Sequence, residues 1–282
     1  VVRLMALPRA LAEPRRWLSR APNYLRAFGP WHGLRLLYAM EMATLRGGGP
    51  VAHPVPGYGA VWLRPTVGDH SVFWQCLVQR QYWLGGMPHA ARLMDAYHAM
   101  LAAGRTPVIL DCGANIGMSV LWFAKAFPRA VIVAVEPEAA NFALLERNTA
   151  HLGPGALPVR CAVASAPGAM TLTNPEAGST AFQFAPAASG EVACRTVDEL
   201  AAMVPDGDLL VVKIDIEGGQ KQLFEHNTAW LGRAHAVLIE LEDWLLPWQG
   251  TSRPFFQAIS GYPYEFLTRG ETLFCMRDDQ AA

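Results

Sequence analysis

The sequence predicts an α/β fold with a mostly parallel sheet, preceded by an N-terminal helical extension. Three observations carry this. From Pro107 onward, short β-branched apolar runs alternate with helical stretches. Those runs are nearly continuous in their apolar character, as expected of parallel strands covered on both faces. The chain then closes with two short strands separated by Arg269-Gly270-Glu271, which predicts an antiparallel hairpin. A hydrophobic fraction of 52% against 17% charged residues supplies a core for a 282-residue chain and excludes a disordered one.

Residues 1–46 suggest one or two arginine-rich amphipathic helices, with Pro14, Pro22 and Pro30 as expected breaks. Gly47-Gly48-Gly49-Pro50, followed by Pro54, Pro56 and Gly57, predicts a linker. A short strand is expected over 59–64, then helices over 71–82 and 88–101. The repeating part follows: strand 108–111, helix 116–127, strand 131–135, helix 138–150 and strand 159–163. Residues 164–195 are rich in Gly, Pro and Ala and predict hairpins and loops. Strands at 209–214 and 237–241 come next, then the hairpin of 264–268 and 272–276. This divides the chain into an extension and linker (1–57), an initial strand with cap helices (58–106) and an α/β domain (107–282).

Charge and cysteine usage narrow the class. The net charge of -1 gives the whole chain no bias toward nucleic acid, although residues 1–49 hold eight arginines against Glu13 and Glu41. That basic segment suits an acidic partner, a membrane surface or a neighbouring subunit, or is a solvated helical face. The five cysteines form no CxxC pair, so neither a zinc site nor a redox pair is expected. Prolines and arginines interrupt the first thirty residues where a signal peptide would be apolar. No uncharged run reaches membrane-spanning length, so a cytoplasmic protein is expected.

Open parallel sheets bind ligands beyond the carboxyl ends of their strands. The first such end is Val108-Ile109-Leu110-Asp111-Cys112-Gly113-Ala114-Asn115-Ile116-Gly117. Gly113 is expected to allow a ligand close to the backbone, and Gly117 to let the helix pack on the strand. A dinucleotide site would place glycine at 115, where asparagine stands. Asp111 would repel a pyrophosphate but suits an ammonium group. S-adenosylmethionine carries an α-amino group and a sulfonium without phosphate, and is therefore favoured over NAD. Glu136, ending the second strand about 20 residues on, is placed to bind ribose hydroxyls.

Five segments in order (VILDCGANIG, VAVEPEAANFALLERN, CRTVDEL, LLVVKIDIEG and VLIELEDW) closely resemble the FkbM-type methyltransferases, as does the upstream VWLRPTVGDHSVFWQCLVQRQY. The resemblance spans roughly residues 58 to 277. It implies a class I methyltransferase, Rossmann-like fold with a seven-stranded sheet. Members mostly methylate hydroxyl groups, often on sugars or natural-product scaffolds. It further implies that Asp111, Gly113, Asn115 and Gly117 form the cofactor loop, that Glu136 is the ribose acid, and that Ala162 lies near the adenine. Family members often carry a histidine where this chain has Glu242.

The fourth strand ends in Lys213-Ile214-Asp215-Ile216-Glu217-Gly218-Gly219, whose alternation puts Lys213, Asp215 and Glu217 on one side. Methyl transfer to a hydroxyl needs a base, for which Asp215 and Glu217 are candidates. Lys213 can orient a carboxylate or stabilise a developing alkoxide. Glu240 completes the candidate catalytic group. With Glu242, Asp243 and Asp215 it offers oxygen ligands for Mg²⁺, though no spacing is diagnostic and a solvated acidic loop is favoured.

Trp62, Trp74, Tyr82, Trp83, Trp244 and Trp248 flank the expected mouth, as sugar-stacking faces or as core. Asp69, His70 and Gln75 suggest either a substrate-facing cap or a capped helix start. The turn Asn174-Pro175-Glu176 lacks the aromatic residue of a base-methylating site. This demotes a nucleic-acid base as acceptor; the resemblance implies a small molecule, a sugar or a glycosylated or polyketide-like scaffold, and the N-terminal helices allow an oligomer. Two other readings remain: a nicotinamide or nucleotide-sugar oxidoreductase on a Rossmann fold, and a catalytically inactive methyltransferase fold serving as a binding module.

Overall fold

The computed structural model describes residues 14–46, 48–172, 184–186, 192–216, 219–244 and 247–278. The chain divides into two units, ending and beginning at Arg80 and Gln81.

In the first unit, helices α1 (Pro14–Phe28) and α2 (Pro30–Arg46) fold back on one another across Gly29. Tyr24 and Phe28 of α1 and Leu36, Leu37 and Met40 of α2 are buried, and Trp17 meets Tyr38 ring to ring. Proline ends a helix only when the lost backbone bond and ring clash outweigh packing. Pro14 and Pro30 each open a helix, where the missing N–H has no role. Pro22, expected as a break, lies inside α1 on an exposed face.

Two strands follow, β1 (Val51–Val55) and β2 (Gly59–Leu63), paired antiparallel with Pro54 opposite Ala60. Residues 51–55 were expected as linker because Pro54 and Pro56 argue against a strand. A two-stranded ribbon is all edge, and an edge tolerates proline. Helix α3 (Val67–Phe73) starts earlier than its apolar pattern suggests, capped by the Thr66 side chain on the Asp69 N–H, and passes into a π-turn over Trp74–Val78. Asp69 is fully buried against the Arg64 guanidinium at 2.8 Å, so this is a capped helix start.

The second unit begins with α4 (Pro88–Ala102) and holds a seven-stranded sheet. Its strands are β3 (Thr106–Cys112), β4 (Val131–Val135), β5 (Ala156–Val159), β10 (Gly207–Ile214), β11 (Ala236–Glu240), β12 (Tyr264–Arg269) and β13 (Thr272–Arg277). They lie in the order β12-β13-β11-β10-β3-β4-β5. All neighbours are parallel except β13, which runs antiparallel to β11 and β12. This is a Rossmann-like sheet, mostly parallel with an antiparallel C-terminal hairpin. Helices α5 (Met118–Ala126) and α6 (Ala139–Thr149) follow β3 and β4. From β3 the chain winds outward through β4 and β5, then returns to β10 on the other side of β3. The order reverses between β3 and β10, where open α/β sheets place their ligands.

The expected strand over 159–163 is two strands. Cys161 N–H donates to the Val159 carbonyl at 3.1 Å, a tight turn that ends β5 and starts β6 (Ala162–Val163). A second sheet, β6-β9-β7-β8, is completed by β7 (Gly168–Leu172), β8 (Phe184–Pro186) and β9 (Val192–Arg195), in the stretch expected to form hairpins and loops. Asn174-Pro175-Glu176 lies outside the described residues.

Three short helices complete the second unit. In α7 (Val197–Ala201), Thr196 and Glu199 form a reciprocal capping box that needs no long apolar pattern. The others are α8 (Gln220–Leu223) and α9 (Arg253–Ile259). No helix among the described residues is long and apolar enough to cross a membrane.

Candidate functional site

The ends of β3 and β10 meet closely. Asp215 N–H donates to the Cys112 carbonyl at 3.0 Å, and a Cβ added to Gly113 would lie 1.8 Å from the Asp215 carbonyl oxygen. Gly113 also has φ +82°. Glycine is therefore required at 113 by the protein's own backbone, rather than by a ligand lying over the turn. Gly117, at φ +90°, would bring a Cβ within 3.0 Å of Leu145 and 3.3 Å of Thr149 on α6. It lets the start of α5 approach α6, not the strand as its position suggested.

The loop from 113 to 117 has a distinctive hydrogen-bond pattern. Gly113 and Ala114 N–H groups both donate to the Val135 carbonyl, at 3.0 and 2.8 Å. Asn115 N–H donates to Glu136 Oε2 at 2.9 Å, and Ile116 N–H to the Asn115 side chain at 2.8 Å. Gly117 N–H donates to the Ala114 carbonyl at 2.8 Å. Each of the five N–H groups thus has an internal acceptor. A pyrophosphate site works by leaving such donors pointed at the ligand. This loop does not.

Glu136 is the centre of the arrangement. Its Oε1 accepts from Glu138 N–H at 2.9 Å, and its Oε2 from Asn115 N–H, so the carboxylate is oriented from both sides. The Asn141 side chain hydrogen-bonds the same carboxylate. Burial pushes its pKa up to about 7, against the pull of the Glu138 and Asn115 donors toward the anion. Ala162, expected near an adenine, belongs to β6 and pairs with Cys194 in the second sheet. It stands three residues beyond Val159, whose carbonyl accepts from Glu136 N–H at 3.2 Å.

Asp111, expected to greet a ligand's ammonium, is fully buried. Ser119 Oγ donates to its Oδ2, and Lys213 Nζ lies 3.1 Å from its Oδ1. The register explains why: Asp111 and Lys213 are directly opposite on β3 and β10. The ammonium that Asp111 meets is the chain's own.

Lys213 is also enclosed, at 3% exposure. Its Nζ donates to the Gly113 carbonyl at 2.7 Å and lies 3.5 Å from Asp215 Oδ2. Burial alone would lower its pKa, but Asp111, the Tyr82 phenol and Asp215 outweigh it and hold the ammonium well above the ordinary lysine value. Lys213 is a fixed cation that ties the loop after β3 to the end of β10.

Two acids stand at the open edge. The Asp215 side chain is 31% exposed. Glu240 ends β11, the neighbouring parallel strand, and its Oε1 accepts from Thr272 Oγ1 at 3.1 Å. Burial first, then the negative charge of Asp215, pushes the Glu240 pKa up to about 7, while Lys213 and Thr272 pull it down. Gln220 Nε2 donates to the Glu240 carbonyl at 3.1 Å. Glu217 lies outside the described residues. Asp243 is bound by Thr251 Oγ1 at 2.8 Å and Ser252 N–H at 3.3 Å. Among the described residues no group of three or more His, Cys, Asp or Glu is placed to hold a metal ion.

Sequence reasoning missed Ser119, Thr272 and Gln220. Thr272 opposes Glu240 only because β13 pairs with β11, and Ser119 depends on how α5 leaves the loop. Neither relation has a local pattern. Tyr82, one of the aromatics expected at the mouth, is buried and stacks on Phe123 at 5.2 Å, while Trp83, Trp244 and Trp248 are exposed.

Comparison with known proteins adds the following. The family model described as "Methyltransferase FkbM domain" matches residues 111–257, just over half the chain. "Methyltransferase sdnD" of Sordaria araneosa is 36% identical over 69 residues, 24% of this chain and 27% of that protein. The chain thus matches about a quarter of that relative's length. Among solved structures, monomeric WbdD shows 12% identity over 72% of this chain and 43% of its own, with a TM-score of 0.40. A Geobacter metallireducens precorrin-6y C5,15-methyltransferase shows 11% identity over 65% of this chain and 88% of its own, at 0.36.

Proposed function

This chain belongs to the FkbM methyltransferase family, and from that premise we propose that it transfers a methyl group from S-adenosylmethionine to a hydroxyl of a small molecule, a sugar or a glycosylated or polyketide-like natural product. The observation that carries the cofactor assignment is the loop over 113–117. Its N–H groups are all used internally, one of them by the Glu136 carboxylate itself. Such a loop lacks donors for the phosphates of NAD, and places an anion where one would have to sit. A phosphate-free nucleoside fits it.

In this reading Glu136 accepts hydrogen bonds from the two ribose hydroxyls, Ala162 and its neighbours border the adenine, and Asn115 and Gly117 shape the loop. Asp111 and Lys213 act from beneath by holding that loop in place. When bound, S-adenosylmethionine supplies an electrophilic methyl group on a positively charged sulfur. The chain must orient the acceptor hydroxyl and take its proton as the oxygen becomes nucleophilic.

Glu240 suits the second task. A carboxyl that titrates at about 7 is ionised in a useful fraction near neutrality, yet basic enough to accept a proton. In the same reading Asp215, more open to solvent, orients the hydroxyl and keeps Glu240 basic through its own charge. Lys213 holds Asp215 from behind.

Titration calorimetry with S-adenosylhomocysteine tests the cofactor assignment. Wild type is expected to bind, and Glu136→Ala to lose on the order of a hundredfold in affinity with its circular dichroism retained, since two charge-assisted hydrogen bonds disappear. Unchanged affinity in that variant, or heat from NAD in place of the nucleoside, overturns the reading. Mass spectrometry of cell extracts incubated with the protein and a deuterated-methyl donor then identifies the acceptor.

A further inference from the structure

The helical hairpin of the first unit carries surface features that methyl transfer does not explain. Trp31, Leu34 and Tyr38 of α2 are 84%, 49% and 54% exposed, and Leu18 of α1 is 75% exposed. Spacings of three and four residues put Trp31, Leu34 and Tyr38 on one helix face, with Arg35 within the same arc. The Trp17–Tyr38 ring contact joins that face to α1, where Leu18, Pro22 and Arg26 are exposed. Between Pro14 and Arg46 there are six arginines and a single acid, Glu41. That acid is buried and ion-paired with Arg20 at 3.0 Å. The hairpin therefore offers exposed cations and exposed aromatic and aliphatic side chains, with no exposed carboxylate among its described residues.

We propose that α1 and α2 form a peripheral docking surface for an anionic lipid bilayer. Trp31, Leu34, Tyr38 and Leu18 would enter the headgroup boundary, and Arg26 and Arg35 would meet lipid phosphates. Three physical points select this occupant. Aromatic rings with a polar edge favour the bilayer interface, and arginine can bury its stem while its head stays with anions. A second copy seated on the same face would set arginines against arginines with no acid to answer them. A nucleic acid would satisfy the arginines but leave an aliphatic and indole face without a partner. Amphipathic basic helices of this composition lie in the interface plane instead of spanning it, and neither helix is long and apolar enough to span.

Vesicle sedimentation of the full chain tests this with two probes, phosphatidylcholine alone and phosphatidylcholine mixed with phosphatidylserine. The expected result is partitioning at least about tenfold stronger onto the phosphatidylserine vesicles, weakening as salt is raised. Arg26→Glu/Arg35→Glu and Trp31→Ala/Leu34→Ala should each lower that partitioning by about tenfold, with unchanged circular dichroism and thermal transition. All four side chains are exposed, so folding is not at stake. Equal partitioning onto both vesicle types, or double variants that bind as wild type does, overturns the proposal. So does a concentration-dependent dimer abolished by Trp31→Ala in a protein that ignores both vesicles.

Discussion

Glu136 and Glu240 are two carboxyls whose proton affinity burial has raised by similar amounts, and their surroundings separate their roles. Glu136 is held by backbone donors on both oxygens and serves a fixed contact. Glu240 accepts from one hydroxyl, feels the Asp215 charge, and suits a group that must gain and lose a proton. If it is the base, kcat/KM rises with pH through a limb near its value of about 7, and Glu240→Gln removes both the limb and most of the rate. A limb that survives in this variant transfers the role elsewhere. The same shift has a stability consequence. Between the ordinary carboxyl value of 4.5 and about 7, the folded state holds a proton that the unfolded chain releases. That contribution is full at acid pH and is lost as pH rises through the folded value. Glu240→Gln, which never ionises, should therefore gain stability relative to wild type between about pH 5 and pH 8, by up to about 3 kcal/mol. Urea melts at the two pH values measure this, and an equal difference at both contradicts it. The residue types were legible in the sequence. Their ionisation was not, because it depends on burial and on partners from other strands.

At the scale of elements, the Asp111–Lys213 pair joins β3 to β10. A buried ion pair adds little net stability, because desolvation offsets its attraction, but removing one partner leaves a bare charge. Lys213→Met is expected to cost about 3–5 kcal/mol, and Asp111→Asn/Lys213→Met to recover much of that loss. Denaturant melts of the two singles and the double give the coupling, and an additive double would make the pair incidental. Sequence spacing identified both residues as site members, yet the register decided that they face each other. The same distinction covers the other elements. Long apolar runs such as Val131–Val135 were read with their observed bounds. The divided strand at Val159–Cys161 was not, since one tight turn outweighs a continuous apolar string. Short helices such as α7 rest on caps instead of periodicity, and Pro22 inside α1 shows tertiary packing overriding a local breaker.

For the whole molecule, the reversal of strand order between β3 and β10 brings Glu136, Asp215 and Glu240 to one edge from positions far apart in the chain. A ligand bound there stabilises the fold by mass action. S-adenosylhomocysteine at about a hundred times its Kd should add about 2.7 kcal/mol and raise Tm by roughly 5–10 °C, with the increment absent in Glu136→Ala. A shift of equal size in that variant would place the ligand elsewhere. The order of strands and helices, the acids at strand ends and the family were determined by the sequence, because periodicity, turn chemistry and motif spacing are properties of neighbours along the chain. Only the tertiary structure decided that Asp111 meets Lys213, that Gly113 makes room for Asp215, and that Thr272 supports Glu240. Each of these is a contact across strands, and strand pairing has no record in local sequence.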